Sequence, residues 1–267
     1  MNQPYEYKKS ELHQEGVSLS ELADRFGTPA FVYSKARLIS CYRSLSDALS
    51  GLKFKINYSV KANSNLSLLA LLKEEGAGFD IVSAGELNRV LAIKGDPANV
   101  VFSGVGKTSE EIDFALKNNV GCINVESESE LNRIINRARV LKRRAPVSIR
   151  VNPNVDPKTH PYISTGLKEN KFGVPIENSY ALFNSAHESE HLTIKGIDCH
   201  IGSQIGSVEP LTEAVKSLCK TIDQLEENGI LIDHINVGGG LGVTYKDEIP
   251  LSFTDYGNCL LYTSPSP

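Results

Sequence analysis

Three features of the chain could take part in chemistry, and each follows a short apolar run. Lys61 ends the segment Asn57-Tyr58-Ser59-Val60-Lys61, His200 follows Cys199, and a glycine-rich turn spans residues 238–242. A lysine that is partly buried can lose its charge and attack a carbonyl carbon as a free amine. A glycine-rich turn after a strand lets backbone N–H groups approach an anion such as a phosphate. The imidazole adds a flat aromatic ring.

Each feature also has an ordinary structural explanation. A lysine at a strand end can be solvated, a histidine can be a hydrogen-bonded core residue, and a glycine run can be a tight turn. The turn does not follow the dinucleotide pattern G-x-G-x-x-G, because Val243 occupies the place of the third glycine. We therefore expect a lone phosphate there. His187 and His191 have helical metal-ligand spacing without an evident third ligand, so we expect a surface pair and no metal site.

Apolar strands and amphipathic helices alternate through most of the chain, with glycine or asparagine between them. The predicted strands of this repeat are Phe54–Val60, Gly78–Val82, Val100–Ser103, Cys122–Val125, Val147–Val151, Ile194–Cys199 and His234–Val237. Such alternation predicts a parallel sheet with right-handed crossovers. Seven evenly spaced strands favour an α/β protein with a (β/α)₈ TIM-type barrel that lacks its last strand. A doubly wound sheet is the alternative.

The residues before this repeat, and the helix ends within it, give further local predictions. We expect a helix over Leu19–Phe26, a strand at Phe31-Val32-Tyr33 and a helix from Lys35 to Leu49. Thr108 with Glu111, and Ser127 with Glu130, fit the capping box, in which a hydroxyl and a carboxylate satisfy backbone donors reciprocally.

In a barrel, the carboxyl-terminal ends of the strands open onto one mouth, where barrel enzymes keep their chemistry. The polar and glycine residues expected at that mouth are Lys61, Asp80, Ser83, Glu86, Ser103, Gly104, Glu126, Arg150, Asn152, His200, Ser203, Gly238, Gly239, Gly240 and Gly242. A reactive amine, a phosphate cradle and a flat aromatic ring together suggest a phosphorylated aromatic aldehyde as cofactor. That description fits pyridoxal 5′-phosphate (PLP).

Bulk composition argues against several other classes of protein. The 267 residues have a formal net charge of −4, which gives no electrostatic case for a nucleic-acid partner. The basic face between Arg133 and Arg144 lacks interleaved aromatic residues, so we expect a solvated outer helix there. No apolar run approaches the length of a membrane span. Five scattered cysteines without a C-x-x-C pair, and a polar start without a secretory signal, favour the cytoplasm.

Several motifs, in order along the chain, resemble those of the diaminopimelate decarboxylases, which belong to the PLP-dependent decarboxylases with an alanine-racemase-like barrel. The matching stretches are Tyr58-Ser59-Val60-Lys61-Ala62-Asn63-Ser64, Phe79-Asp80-Ile81-Val82-Ser83-Ala84-Gly85-Glu86-Leu87, Ile149-Arg150-Val151-Asn152-Pro153, His200-Ile201-Gly202-Ser203-Gln204 and Gly238-Gly239-Gly240-Leu241-Gly242. The segment from Thr159 to Gly166, which runs into Lys171-Phe172-Gly173, is the most specific of them.

The resemblance implies a role for each matching residue. Lys61 would be the Schiff-base lysine, and His200 would stack on the pyridine face of PLP. Ser203 and the glycines Gly238, Gly239 and Gly240 would hold the phosphate. Asp80, Glu86 and Arg150 would line the cofactor pocket.

The activity implied is decarboxylation of meso-2,6-diaminopimelate to L-lysine and CO₂, with a small-molecule amino acid as substrate and a homodimer as the full-length assembly. The alternatives are an ornithine- or arginine-type decarboxylase of the same family, or a PLP-binding barrel protein without catalytic activity.

The chain also departs from the family pattern. The Glu-Pro-Gly-Arg motif and the Cys-Glu-Ser-Gly-Asp segment do not occur in it. We therefore predict that the last barrel strand and the C-terminal β domain are missing, and that this chain by itself is an inactive or nearly inactive fragment. The predicted division is an N-terminal segment, 1–30, that would pair with the missing domain, a PLP-binding barrel, 31–257, and an extraneous tail, 258–267.

Overall fold

The computed structural model describes residues 5–156 and 172–263, and it begins with a small antiparallel sheet. Its three strands are β1 (Tyr5–Lys8), β2 (Glu11–Gln14) and β3 (Val17–Ser18). Helices α1 (Leu19–Phe26) and α2 (Lys35–Ala48) follow, as predicted. The prediction of a strand at Phe31-Val32-Tyr33 is wrong, because these residues have no regular secondary structure. Phe31 is 88% exposed there, and an apolar run forms a strand only where a neighbouring strand accepts its backbone hydrogen bonds.

A second sheet contains the repeat seen in the sequence. Its strands are β4 (Asn57–Ser59), β5 (Gly78–Ile81), β6 (Val100–Phe102), β7 (Cys122–Val125), β8 (Ala145–Asn152), β9 (Val174–Pro175), β10 (Leu192–Asp198) and β11 (His234–Asn236). The helices of this part are α3 (Leu66–Glu74), α4 (Ala84–Ala92), α5 (Ser109–Lys117), α6 (Glu128–Leu141), α7 (Ser179–Glu188), α8 (Glu209–Glu227) and α9 (Phe253–Thr263).

The order of the strands decides between the two candidate architectures. Seven strands pair in parallel in the order β4-β5-β6-β7-β8-β10-β11, while the two-residue strand β9 pairs with the end of β8. This order follows the chain, whereas a doubly wound sheet reverses its strand order at a switch point. The described residues therefore form the arc of a barrel, which confirms the predicted fold class.

Strands β7 and β8 are buried on both faces, as parallel strands covered on both sides are. Ile123, Val147 and Ile149 belong to the apolar core, which also includes Leu131 and Ile134 of α6. Because side chains alternate along a strand, the other face carries Asn124, Ser148 and Arg150. Arg150, on this polar face, lies near the carboxyl end of β8.

The two predicted helix caps differ in the structure. Thr108 and Glu111 form a complete capping box at the start of α5. Ser127 Oγ accepts the N–H of Glu130, but the Glu130 carboxylate turns back to the N–H of Glu126 and to Lys107 Nζ. The second box is therefore only half formed, because both oxygens of the Glu130 carboxylate are engaged by Glu126 and Lys107 instead of by the N–H of Ser127.

Helix α9 continues through the position where a tail was predicted to begin. Residues 258–263 are helical, and Leu260 within them is only 7% exposed. The predicted boundary between residues 257 and 258 therefore coincides with no break in this helix, and the division into segments stays a prediction.

Candidate active site

Lys61 lies in a 3₁₀ turn, Val60–Ala62, directly after β4. The strand is shorter than predicted, since the backbone before Asn57 is irregular. Val60 is fully buried and anchors the turn, whereas Lys61 is exposed at the mouth. The positive charge of Lys61 acts on Glu86 and on His200, so each of them lies within electrostatic range of Lys61.

Asp80 joins the ends of neighbouring strands through its carboxylate. Ser59 Oγ donates to its Oδ2 at 2.7 Å, and Ser103 Oγ donates to its Oδ1 at 2.5 Å. Asn124 Nδ2 donates in turn to Ser103 Oγ at 3.1 Å. A hydrogen-bonded row therefore runs across β4, β5, the end of β6 and β7.

Glu86 lies in the first turn of α4, next to Asp80 at the mouth. Its carboxylate accepts the N–H of Val82 at 2.8 Å, and its own N–H donates to Ser83 Oγ, the cap of the helix. Burial raises the pKa of Glu86, while the Val82 hydrogen bond and the positive charge of Lys61 act in the opposite direction.

Arg150 is buried between two carboxylates at the end of β8. Its Nη1 is 3.0 Å from Glu126 Oε1 and its Nε is 3.6 Å from Asp198 Oδ2. Burial raises the pKa of Asp198 to about 7, an effect that Arg150 opposes and the charge of Glu126 reinforces. Asp198 was not among the residues expected at the mouth, although it precedes His200 by only two residues.

His200 follows β10 and is held in its neutral form. Burial, reinforced by the charges of Arg150 and Lys61, lowers its pKa to about 4. The N–H of Gly239 points at Nδ1 of the ring from 3.4 Å. At neutral pH the side chain therefore presents an uncharged aromatic ring.

The three glycines of the turn have different roles. A Cβ at Gly238 would lie 2.7 Å from the carbonyl oxygen of Cys199, and one at Gly240 would overlap the carbonyl oxygen of Gly202. Both glycines also have positive φ, of 72° and 92°, which side chains disfavour. A Cβ at Gly239 would meet nothing within 4 Å. Of these three glycines, only Gly239 has room for a side chain.

Ser203 is exposed in the loop that lies beside this turn. Ile205 N–H donates to the carbonyl of Gly240 at 2.9 Å, and Gly242 N–H donates to the carbonyl of Ile205 at 3.0 Å. The structure therefore brings Ser203 and the glycine turn to the same part of the mouth. The motif from Thr159 to Gly166, together with Lys171, lies outside the described residues.

These residues fit a phosphorylated aldehyde. Lys61 offers an exposed amine, His200 offers a neutral ring, and Gly239 leaves room in a backbone turn that could hold a phosphate. Within the described ranges, no three His, Cys, Asp or Glu side chains are arranged to hold a metal ion. None of the helices described has the length and apolarity needed to cross a bilayer.

Similarity to known proteins confirms the resemblance noted in the sequence. The chain is 54% identical over 252 residues to a diaminopimelate decarboxylase of Pseudomonas aeruginosa, covering 94% of this chain and 61% of that relative. A diaminopimelate decarboxylase of Vibrio cholerae is 49% identical, with 94% and 60% covered. The chain thus spans about three-fifths of the length of these relatives.

Solved structures give the same result. The Helicobacter pylori diaminopimelate decarboxylase complexed with L-lysine superposes with a TM-score of 0.88 at 43% identity, over 91% of this chain and 62% of that one. The M. jannaschii diaminopimelate decarboxylase in complex with L-lysine has a TM-score of 0.90 at 38% identity, over 98% and 62%. The family profile for the pyridoxal-binding domain of pyridoxal-dependent decarboxylases matches residues 35–263. The chain therefore belongs to the pyridoxal-dependent decarboxylases and carries their pyridoxal-binding domain.

Proposed function

We propose that this chain is the PLP-binding barrel of a diaminopimelate decarboxylase, which converts meso-2,6-diaminopimelate to L-lysine and CO₂. One observation carries the proposal: Lys61 and neutral His200 share a mouth with an open glycine turn, in a chain 54% identical to an enzyme of that name. The lysine complexes of two structural relatives support the substrate assignment.

Different side chains at the mouth would bind different parts of PLP. Lys61 is the attachment point, because its exposed amine can bond to the aldehyde carbon. His200 would pack against the ring as a neutral imidazole, and Ser203 with the glycine turn would hold the phosphate. When bound, PLP supplies an electron sink for the pair released with CO₂.

Asp80, Glu86 and Arg150 shape the pocket around that group. The two serine hydroxyls fix the Asp80 carboxylate, and the Val82 N–H fixes that of Glu86. Arg150 contributes a buried positive charge on the His200 side of the mouth. Each of these groups is held by other groups of the protein, which lowers the entropy cost of ordering it around a ligand.

The first test is binding of PLP to the 267-residue chain, followed by visible absorbance. We expect the wild-type chain to develop the absorbance of lysine-linked PLP, and Lys61→Ala to lose it. Lys195→Met, which removes a lysine paired with Asp233 away from the mouth, is the control and should bind like the wild type. Equal colour in Lys61→Ala and the wild type would refute the role given to Lys61.

The second test concerns the substrate. Purified chain with PLP is given meso-diaminopimelate, ornithine or arginine, and the amine products and CO₂ are measured. We expect L-lysine from meso-diaminopimelate at a low rate, because the two family motifs named above do not occur in these 267 residues. Products from ornithine or arginine alone would favour the ornithine- or arginine-type activity, and PLP binding without any product would favour a non-catalytic barrel.

We infer as well that the full-length protein is a cytoplasmic homodimer, which the resemblance to this family supports. Sedimentation of the full-length protein with PLP tests the assembly. A monomer at concentrations that sustain activity would refute it.

A further inference from the structure

Glu126 is a buried carboxylate at the mouth for which the proposed chemistry gives no role. It follows β7 and is 4% exposed. Its Oε1 accepts the N–H of Gly104 and Nη1 of Arg150, both at 3.0 Å, and its Oε2 accepts the N–H of Gly173 at 2.9 Å. Gly104 follows β6, Arg150 lies on β8 and Gly173 precedes β9. One carboxylate therefore connects three segments that lie far apart along the chain.

A buried ion pair between Lys107 and Glu130 holds the backbone next to the Glu126 side chain. The Glu130 carboxylate accepts the N–H of Glu126 at 2.7 Å and pairs with Lys107 Nζ at 3.0 Å. Lys107 Nζ also donates to the carbonyls of Gly104 at 2.6 Å and Asn124 at 2.7 Å. These hydrogen bonds thus fix the backbone at Gly104, at Asn124 and at Glu126 itself.

Arg150 is held on its remaining sides. Its Nε faces Asp198, and its Cζ lies 5.0 Å from the centre of the Phe172 ring. A Cβ at Gly173 would lie 2.9 Å from the carbonyl oxygen of Arg150, so this glycine permits a close backbone approach. Strand register places Arg150 opposite Asp198, the last residue of β10. His200 follows two residues later, within reach of the charge of Arg150.

We propose that Glu126 is a positioning residue, whose carboxylate ties three segments of the mouth together and fixes the Arg150 guanidinium beside His200. The effect on PLP rests on the proposed function, because Glu126 acts on the cofactor through Arg150. The positive charge so fixed adds to burial in keeping His200 neutral.

The central experiment compares PLP dissociation constants of the wild-type chain and Glu126→Gln. The amide cannot accept from all three donors and carries no charge to match Arg150, so we expect PLP to bind at least about tenfold more weakly. Asp113→Asn is the matched control, because Asp113 forms a two-bond pair with Arg137 on the outer helices. Its PLP affinity should equal that of the wild type. Wild-type affinity in Glu126→Gln would overturn the proposal.

A double-mutant cycle separates positioning from general stability. If Glu126 acts through Arg150, Glu126→Gln should weaken PLP binding much less in an Arg150→Met background. Full additivity of the two effects would overturn the proposal. If Glu126→Gln does not fold, Glu126→Asp replaces it in the same cycle, since it keeps the charge but is one methylene shorter. The same loss of effect in the Arg150→Met background is expected.

Amide hydrogen exchange tests the contacts without PLP. We expect exchange at Gly104 and Gly173 to accelerate together in Glu126→Gln and to stay slow in Asp113→Asn. Unchanged exchange at both glycines would overturn the proposal. Because this measurement needs no cofactor, failure of the wild-type chain to bind PLP would count against the proposed function alone.

Discussion

At the scale of single residues, Lys61 shows that the neighbours of a side chain determine which chemical role it can have. In the sequence it is a lysine at the end of an apolar run, and a solvated lysine would look the same. In the structure its charge acts on Glu86 and on neutral His200 at one mouth. That convergence supports the role proposed for Lys61.

The glycine turn gives a test at single-residue resolution. We expect Gly239→Ala to fold like the wild type and to bind PLP more weakly, because the added methyl enters open space that the phosphate would use. Gly240→Ala should instead lower the free energy of unfolding by about 1 kcal/mol or more, because the position has positive φ and no room for Cβ. Urea unfolding and PLP titration of both variants separate the two effects. If Gly239→Ala bound PLP with wild-type affinity, the proposal that the glycine turn holds the phosphate would be contradicted.

Asp198 should make stability depend on pH. Its folded pKa of about 7 lies above the ordinary value of 3.8, so the folded state binds more protons between these values. The stabilisation is present below about pH 4 and is lost as pH rises to 7. Relative to Asp198→Asn, the wild type should therefore lose a few kcal/mol of unfolding free energy across this range. His200 contributes an opposite slope, which cancels because both proteins contain it.

Urea unfolding at a series of pH values measures this difference. A difference between wild type and Asp198→Asn that does not vary with pH would show that folding does not raise the pKa of Asp198.

At the scale of elements, the buried pair Lys107–Glu130 connects the loop between β6 and α5 to the start of α6. Lys107→Met would leave the Glu130 carboxylate buried without its cation, so we expect a loss of about 3–5 kcal/mol of unfolding free energy. The double variant Lys107→Met/Glu130→Gln should lose less, since no unpaired charge remains. Lys195→Met removes a partner from an exposed pair and should cost less than about 1 kcal/mol. Equal losses in the two lysine variants would contradict this account.

Element boundaries were predictable to the extent that they depend on local signals. Leu19–Phe26 and Cys122–Val125 match the structure at both ends, because caps and apolar runs define them. The strand before Lys61 is shorter than predicted, and Phe31-Val32-Tyr33 is no strand. In both places the alternation of side chains suits a strand, but pairing with a neighbour decides where one forms.

At the scale of the whole molecule, the apolar layer between sheet and helices stabilises the arc of the barrel. Ile134 on α6 is fully buried in it, whereas Val140 on the same helix is 60% exposed. We expect Ile134→Ala to lower the free energy of unfolding by about 2–5 kcal/mol, because it leaves a cavity in a packed core. Val140→Ala should change it by less than about 0.5 kcal/mol. Chemical unfolding monitored by circular dichroism checks both, and similar losses would contradict the packing described.

The sequence by itself determined the repeat of strands and helices, the parallel sheet and the positions where chemistry-bearing residues end the strands. These follow from the period of apolar residues and from caps, which act over a few neighbouring residues. Only the tertiary structure decided that Glu126 and Asp198 enclose Arg150, that Lys107 is buried, and that of the three turn glycines Gly239 has room for a side chain. Strand register and burial choose such partners among residues far apart in the chain, and no short-range pattern encodes that choice.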